Sequence, residues 1–99
     1  MEKEIRFLRF VENLYLMGLA QLGKLVNPAT GKVEKNLSLA QETIETLRML
    51  EEKTRGNLTQ EEESYLKSCL TNLQLNFVEE RRKEKEEEKK EGKNKKQKS

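Results

Sequence analysis

The stretch NPATGK, residues 27–32, places a glycine beside a lysine, as a phosphate-binding loop does. A P-loop has four residues between its two glycines, followed by lysine and serine or threonine, and it joins a strand to a helix. Here seven residues separate the two nearest glycines, a valine follows the lysine, and no strand is predicted before them. Asn27-Pro28 instead suits the start of a turn in which Gly31 takes a positive φ. We therefore predict a corner between two helices.

Cys69 and the run Glu61, Glu62 and Glu63 are further candidates for chemistry, as a nucleophile and as metal ligands. The sequence has no histidine, which is the commonest general base and metal ligand. Cys69 also falls in an apolar helical stripe, where a small core residue is expected. Adjacent helical residues point about 100° apart, so the three glutamates cannot converge on one ion, and they suit a helix start instead. We predict no enzyme, no metal site and no cofactor.

The C-terminal segment is rich in lysine and is a candidate for binding nucleic acid. Residues 79–99 contain 10 Lys/Arg, 7 Glu and no apolar residue, whereas residues 1–78 contain 10 Lys/Arg and 11 Glu. Lysines near phosphates release counterions and bind nucleic acid without discriminating its sequence. The possible nucleic-acid contacts are Lys89, Lys90, Lys93, Lys95, Lys96 and Lys98. The glutamates at 84 and 86–88 repel phosphate, and no aromatic side chain is interleaved for base stacking. A solvated tail that only aids solubility is therefore the competing interpretation.

Three amphipathic helices are predicted to position these residues, at about 4–25, 37–55 and 60–82. Apolar residues recur every three or four positions in the second and third helices, which is typical of one buried stripe. The predicted fold class is all-α, with a three-helix antiparallel domain (a helical hairpin plus a third helix) over residues 1–80. Residues 81–99 form a charged Lys/Glu tail, predicted to pass from fraying helix to disorder because it can bury no apolar surface.

Helix starts and stops are marked in the sequence. Asn36 or Ser38 can cap the second helix. Thr59 and Glu62 have the spacing of a capping box, in which each side chain bonds the other residue's backbone amide. Gly56 supplies the left-handed residue that ends the second helix. These signals predict the turn between the second and third helices.

The first helix is apolar on more than one side, which is typical of a helix that is buried on more than one side. Two short partner helices could hardly cover it, so a second copy of the chain is predicted, with a homodimer favoured because isologous dimers are the commonest small assembly. Gly18 would let another helix approach closely. The predicted oligomer interface comprises Phe7, Phe10, Val11, Leu14, Met17, Gly18 and Leu22. Leu75 and Val78 lie outside the third helix's stripe and are further candidates for a contact beyond the monomer.

The sequence predicts a cytoplasmic protein without a membrane span. The charge-free run of the first helix covers only residues 13–23, whereas a spanning helix needs about 20 predominantly apolar residues. The beginning, MEKEIRF, lacks the apolar segment of a secretion signal. A single cysteine permits no intramolecular disulfide, as is usual in a reducing compartment. A peripheral membrane role stays open only if the first helix can detach.

Four segments in order resemble a small bacterial family, domain of unknown function 1844: FLRFVENLYLMGLAQLG, NPATGKV, LAQETIETLRMLEEKTRGNLTQEEESYL and LQLNFV. The resemblance covers about residues 5–78, and KTRGNLTQEE is its most specific block because turn, cap and acidic helix start occur together. The family often has Asp-Leu before the second helix, where this chain has Asn36-Leu37, and either residue can cap. The resemblance implies a compact helical fold in a bacterial cytoplasm and carries no catalytic residue.

We predict a non-catalytic helical protein that acts as a homo-oligomeric protein-interaction or structural module, with an unidentified protein partner. The alternative is a nucleic-acid- or ribosome-associated accessory protein that acts through the lysine-rich tail. An enzyme would need residues that this chain lacks, unless a partner supplies them.

Overall fold

The computed structural model describes the backbone of residues 2–97 and the side chains of residues 2–91. Its helices are α1 (Glu2–Gln21), α2 (Leu37–Thr54) and α3 (Gln60–Gln97), and each packs against the other two. Over the described backbone, β-structure is limited to an isolated bridge between Asn27 and Lys32. The prediction of an all-α, three-helix fold is confirmed. None of the helices in the described part of the chain is both long and apolar enough to span a membrane.

Two helix ends differ from the predicted bounds. α1 ends at Gln21, four residues early, because Gly23 at φ +80° reverses the chain. The amide of Gly23 donates to the Ala20 carbonyl at 3.0 Å and that of Lys24 donates to the Leu19 carbonyl at 2.8 Å, which is the Schellman pattern. α3 continues to Gln97, well past the predicted end near residue 82. Fraying of residues 81–99 stays a prediction.

The caps of α2 and α3 follow the sequence signals. Asn36, rather than Ser38, caps α2, and its Oδ1 accepts a hydrogen bond from the Leu39 amide at 3.1 Å. At α3, Thr59 Oγ1 accepts from the Glu62 amide at 3.1 Å, and Glu62 Oε1 accepts from the Thr59 amide at 2.7 Å. The predicted capping box is confirmed, and it fixes the direction in which α3 leaves the turn.

One hydrophobic core lies between the three helices. Its fully buried side chains are Val11, Leu22, Leu47, Leu66 and Leu73. They come from the predicted stripes of α2 and α3, from one side of α1 and, for Leu22, from the position directly after α1. That side of α1 therefore faces the other two helices of the same chain, and its opposite side faces outward.

Gly18 lies where α1 approaches both other helices. A Cβ atom at this position would be 3.0 Å from both Cδ atoms of Leu73 and 3.3 Å from Cγ2 of Thr43. Leu73 is fully buried and has little room to move. The missing side chain thus serves the packing of the monomer, since it permits α1 to lie close to α2 and α3.

We expect Gly18→Ala to lower the free energy of unfolding by about 1 kcal/mol. Alanine gains up to about 1 kcal/mol in helix propensity, but overpacking against a rigid core costs typically about 1–3 kcal/mol. Urea denaturation followed by circular dichroism measures the difference. A variant that is more stable by the full gain in propensity would contradict the close approach at Gly18.

Candidate interaction site

A groove lies between the outward side of α1 and the chain that leads into α2. It has a volume of about 800 Å³. Its apolar lining, which we call the α1 groove, consists of Leu16, Met17, Ala20, Leu25, Val26 and Leu39. The α1 residues line the groove because their inward neighbours pack in the core, so that the second apolar side of the helix is left outside.

The α1 groove concentrates exposed apolar surface. Met17 is 46% exposed, Leu16 42% and Val26 54%. Phe10, half-exposed on the same helix, continues this surface toward the N-terminus. Exposed apolar side chains gathered along one groove often mark a site that binds another molecule. The groove is therefore the best candidate for a contact with another molecule.

Hydrogen bonds hold the two walls of the groove together. The amide of Asn36 donates to the carbonyl of Gln21 at 2.8 Å, which joins the start of α2 to the end of α1. The hydroxyl of Thr43 donates to the side-chain oxygen of Gln21 at 2.6 Å, in a partly buried position. With these contacts the groove is preformed, and a ligand need not organise it.

The predicted oligomer interface divides into two groups. Val11, Gly18 and Leu22 are buried in the core of the monomer. Phe7 and Leu14 are partly buried against that core. These five positions face α2 and α3 of their own chain and have little or no surface to offer a second copy. Phe10 and Met17, the remaining two, are exposed. An outward contact would thus centre on Met17 and its neighbours in the groove.

Glu80 is a buried charged residue that the sequence analysis missed. Its side chain is 9% exposed. The carboxylate oxygens form ion pairs with the Nζ atoms of three lysines: Lys24 at 3.0 Å, Lys35 at 3.1 Å and Lys83 at 3.1 Å. Hydrogen bonding from Lys24 contributes most to a pKa of about 2 for the Glu80 carboxyl, below its ordinary value of 4.5. Lys24 and Lys35 lie near the two ends of the segment between α1 and α2, which we call the corner segment, so the cluster joins both of its ends to α3.

A signal for Glu80 was present in the sequence. The residue lies three positions after Phe77 and so continues the stripe that contains Leu66, Leu73 and Phe77. A carboxylate at a buried position requires cations, and lysines stand at both ends of the corner. What sequence spacing could not supply is the proximity of those lysines, which lie 56 and 45 residues away in the chain.

Cys69 lies in the core, as predicted. Burial raises the pKa of its thiol above the ordinary value, and burial also raises the pKa of the neighbouring Tyr65 hydroxyl to about 12. A reactive thiol instead needs a lowered pKa and access to solvent. This environment is unfavourable for nucleophilic chemistry.

We expect the Cys69 thiol to react with a disulfide reagent in the native protein at least about tenfold more slowly than in the unfolded chain, because reaction requires local opening. Thiol titration at pH 8 with and without denaturant measures the ratio. Equal rates in the two conditions would mean that Cys69 is accessible in the folded protein.

The other candidates of the sequence analysis occupy ordinary structural positions. Thr30 and Gly31 both donate their amides to the Asn27 carbonyl, at 3.2 and 2.8 Å, and Gly31 has φ +71°, so the predicted corner is confirmed. Glu62 belongs to the capping box, and Glu63 pairs with Lys67 at 3.0 Å. Within residues 2–91, no three metal-binding side chains gather as they would around an ion.

The predicted nucleic-acid contacts lie at the end of α3. Lys89 and Lys90 are exposed. Lys93, Lys95 and Lys96 fall where only the helical backbone is described, and Lys98 lies outside the described residues. The described part of this segment carries further cations that the sequence analysis did not name as contacts.

Comparison with known proteins identifies a family. A family model described as a domain of unknown function (DUF1844) matches residues 4–79, which is the folded domain without most of the charged end of α3. This agrees with the resemblance seen in the sequence. No curated protein and no solved structure matches the chain.

Proposed function

The chain belongs to this family, DUF1844, and from that premise we propose that it is a non-catalytic, cytoplasmic binding module that forms a homodimer through the α1 groove. The exposed apolar surface around Met17 is the observation that carries the proposal. Two grooves that meet across a two-fold axis would cover Leu16, Met17 and Ala20 of both copies at once.

The composition of the outer side of α1 favours a second copy as the occupant. From Asn13 to Gln21 α1 carries no charge, so two such helices can meet antiparallel without setting like charges against each other, and the charged lining of the groove, Glu34 and Lys35, comes from the segment before α2. Ala20 is small and lets the two helices approach. A domain of this size has a small core of its own, and pairing is a common route to added stability.

The proposal of a non-catalytic role has its own support. Cys69 is enclosed by the core, with the pKa of its thiol raised by burial. The carboxylate of Glu80 forms ion pairs with three lysines, and this arrangement fixes the position of α3. Neither group is placed to meet a substrate.

Sedimentation equilibrium of the full chain tests the proposal. We expect twice the chain mass of 11.6 kDa at concentrations from about 10 to 100 µM, with dissociation on dilution by mass action. A monomeric mass over the whole range would overturn the homodimer and leave the groove to a different protein.

A second candidate function is nucleic-acid contact through the charged end of α3. The observation in its favour is that this helix continues beyond residue 80 to Gln97 and carries exposed cations between residues 81 and 90. Both functions can coexist in one molecule.

A further inference from the structure

The helical register of α3 separates charges that alternate along the sequence. At about 100° per residue, the cations at 81, 82, 85 and 89 fall on one half of the helix. The glutamates at 80, 84, 87 and 91 fall on the other half. We call the first set, Arg81, Arg82, Lys85 and Lys89, the basic stripe. Glu86 and Glu88 flank the basic stripe, and its centre, which holds Arg81, Lys85 and Lys89, carries no glutamate.

Ion pairs at the corner determine which half of α3 faces the domain. Glu80 binds Lys24 and Lys35, and Glu84 lies 3.9 Å from Lys35. These contacts turn the acidic half toward the corner segment. The opposite half, which carries the basic stripe, is thereby left facing solvent.

The basic stripe forms an open groove of about 500 Å³ along the helix, with Phe77 and Val78 at its inner end and Glu86 in its lining beside the cations. Its four cations are exposed. Among the described residues only one of them makes an ion pair, Arg82 with Glu86 at 3.1 Å. Arg81, Lys85 and Lys89 follow one another at single helical turns, about 6 Å apart along the axis.

Charge complementarity selects the partner of this surface. A second copy is disfavoured, since a two-fold axis would bring basic stripe against basic stripe. A lipid surface holds an amphipathic helix through an apolar face, and the stripe has no apolar residue beyond Val78, so it would be held there by charge alone. An acidic protein would also need an apolar centre of contact. The phosphate backbone of a nucleic acid needs only a row of cations.

We propose that the basic stripe of α3 is a phosphate-backbone binding site for nucleic acid, with Arg81, Lys85 and Lys89 as its principal contacts. It rests on the second candidate function and is independent of the homodimer. Binding of this kind is insensitive to base sequence and depends steeply on salt. It places the contact nearer to the folded domain than the lysines after residue 90.

Fluorescence anisotropy with the full chain tests the site, using labelled duplex RNA and duplex DNA of about 20 base pairs and a single strand of equal length. The test variant is Arg81→Gln/Lys85→Gln/Lys89→Gln. The matched control is Lys90→Gln/Lys95→Gln/Lys98→Gln, which removes three charges from the same segment outside the stripe. Circular dichroism verifies that both variants keep their helix content.

We expect the stripe variant to bind on the order of tenfold more weakly, with its salt slope on duplex reduced by about 0.9 per cation removed. The control should stay within about threefold of the parent chain. Duplex and single-strand arms distinguish the form of nucleic acid that is bound, and either form supports the site.

Three results would overturn the proposal. Equal losses in both variants would leave nucleic-acid binding by the tail intact but remove the stripe as its site. Equally tight binding of polyglutamate would mean that any polyanion suffices, an acidic protein included. Failure of the parent chain to bind any of these nucleic acids at about 50 mM salt would remove the second candidate function as well.

Discussion

Replacing Met17 by glutamate is expected to convert the proposed homodimer into a monomer, whereas replacing Met49 by glutamate is expected to leave it intact. The two methionines are matched, since both lie within helices and they are 46% and 47% exposed. Met17 lines the α1 groove, and Met49 lies on α2 away from it. The same chemical change is thus made inside and outside the proposed contact.

The expected effect is large because the new carboxylate would be buried in the dimer contact. Burying an ionised carboxylate in an apolar contact without a partner costs several kcal/mol. We expect the dimer dissociation constant to rise at least about 100-fold, which corresponds to about 2.7 kcal/mol. In the monomer the same carboxylate remains in water, so Met17→Glu should leave the free energy of unfolding of the isolated domain within about 0.5 kcal/mol of the parent.

Sedimentation velocity over a dilution series measures both variants against the parent chain. Loss of the dimer in Met17→Glu alone supports the groove as the interface. Loss of the dimer in Met49→Glu alone would move the interface to α2, and dimers in both variants would show that α1 is not part of it.

The contrast between α1 and the other helices marks what the sequence could predict. The single stripe of α2 and that of α3 have only one way to face a core, and the structure buries apolar residues of both stripes, such as Leu47, Leu66 and Leu73. α1 is apolar on two sides, and the hydrophobic pattern does not say which one packs inward. The close contact of Gly18 with Leu73 makes that choice, and it depends on a helix 55 positions later in the chain.

Contacts between residues close in the sequence could be predicted, and contacts between distant residues could not, because spacing along the chain reveals only the first kind. The bonds of Asn36 to Leu39 and of Thr59 to Glu62 span three residues, so their spacing alone identifies the caps. The charges around Glu80 come together only once the fold exists. In the tail, helical register places Glu84 on the half of α3 opposite the basic stripe, whereas Glu86 stays in the lining of the stripe's groove, and sequence order alone does not show this difference.

Replacing Glu80 by glutamine is expected to lower the free energy of unfolding by about 2 kcal/mol at pH 7. Hydrogen bonds to charged groups contribute about 1.5–3 kcal/mol each. The net loss is smaller than their sum, because the side chains of Lys24, Lys35 and Lys83 are 35%, 32% and 48% exposed and regain water. Glu79→Gln is the matched control, since it removes the same charge from an exposed neighbour.

The pH dependence of this difference follows from the sign of the pKa shift. The Glu80 carboxyl titrates near 4.5 in the unfolded chain and at about 2 in the folded protein. Between these values the unfolded state binds a proton that the folded state does not, so acid favours unfolding. The contribution of Glu80 is therefore complete above pH 4.5 and is lost as the pH falls toward 2.

Urea denaturation of the parent chain, Glu80→Gln and Glu79→Gln from pH 7 to pH 2 isolates this effect from the titration of the other glutamates. We expect the curve for Glu80→Gln to lie below that of the parent at neutral pH and to converge on it in acid, while the Glu79→Gln curve stays within about 0.5 kcal/mol of the parent throughout. A gap for Glu80→Gln that persists unchanged to pH 2 would have to come from packing. In that case the three lysines would not be what holds α3 against the corner.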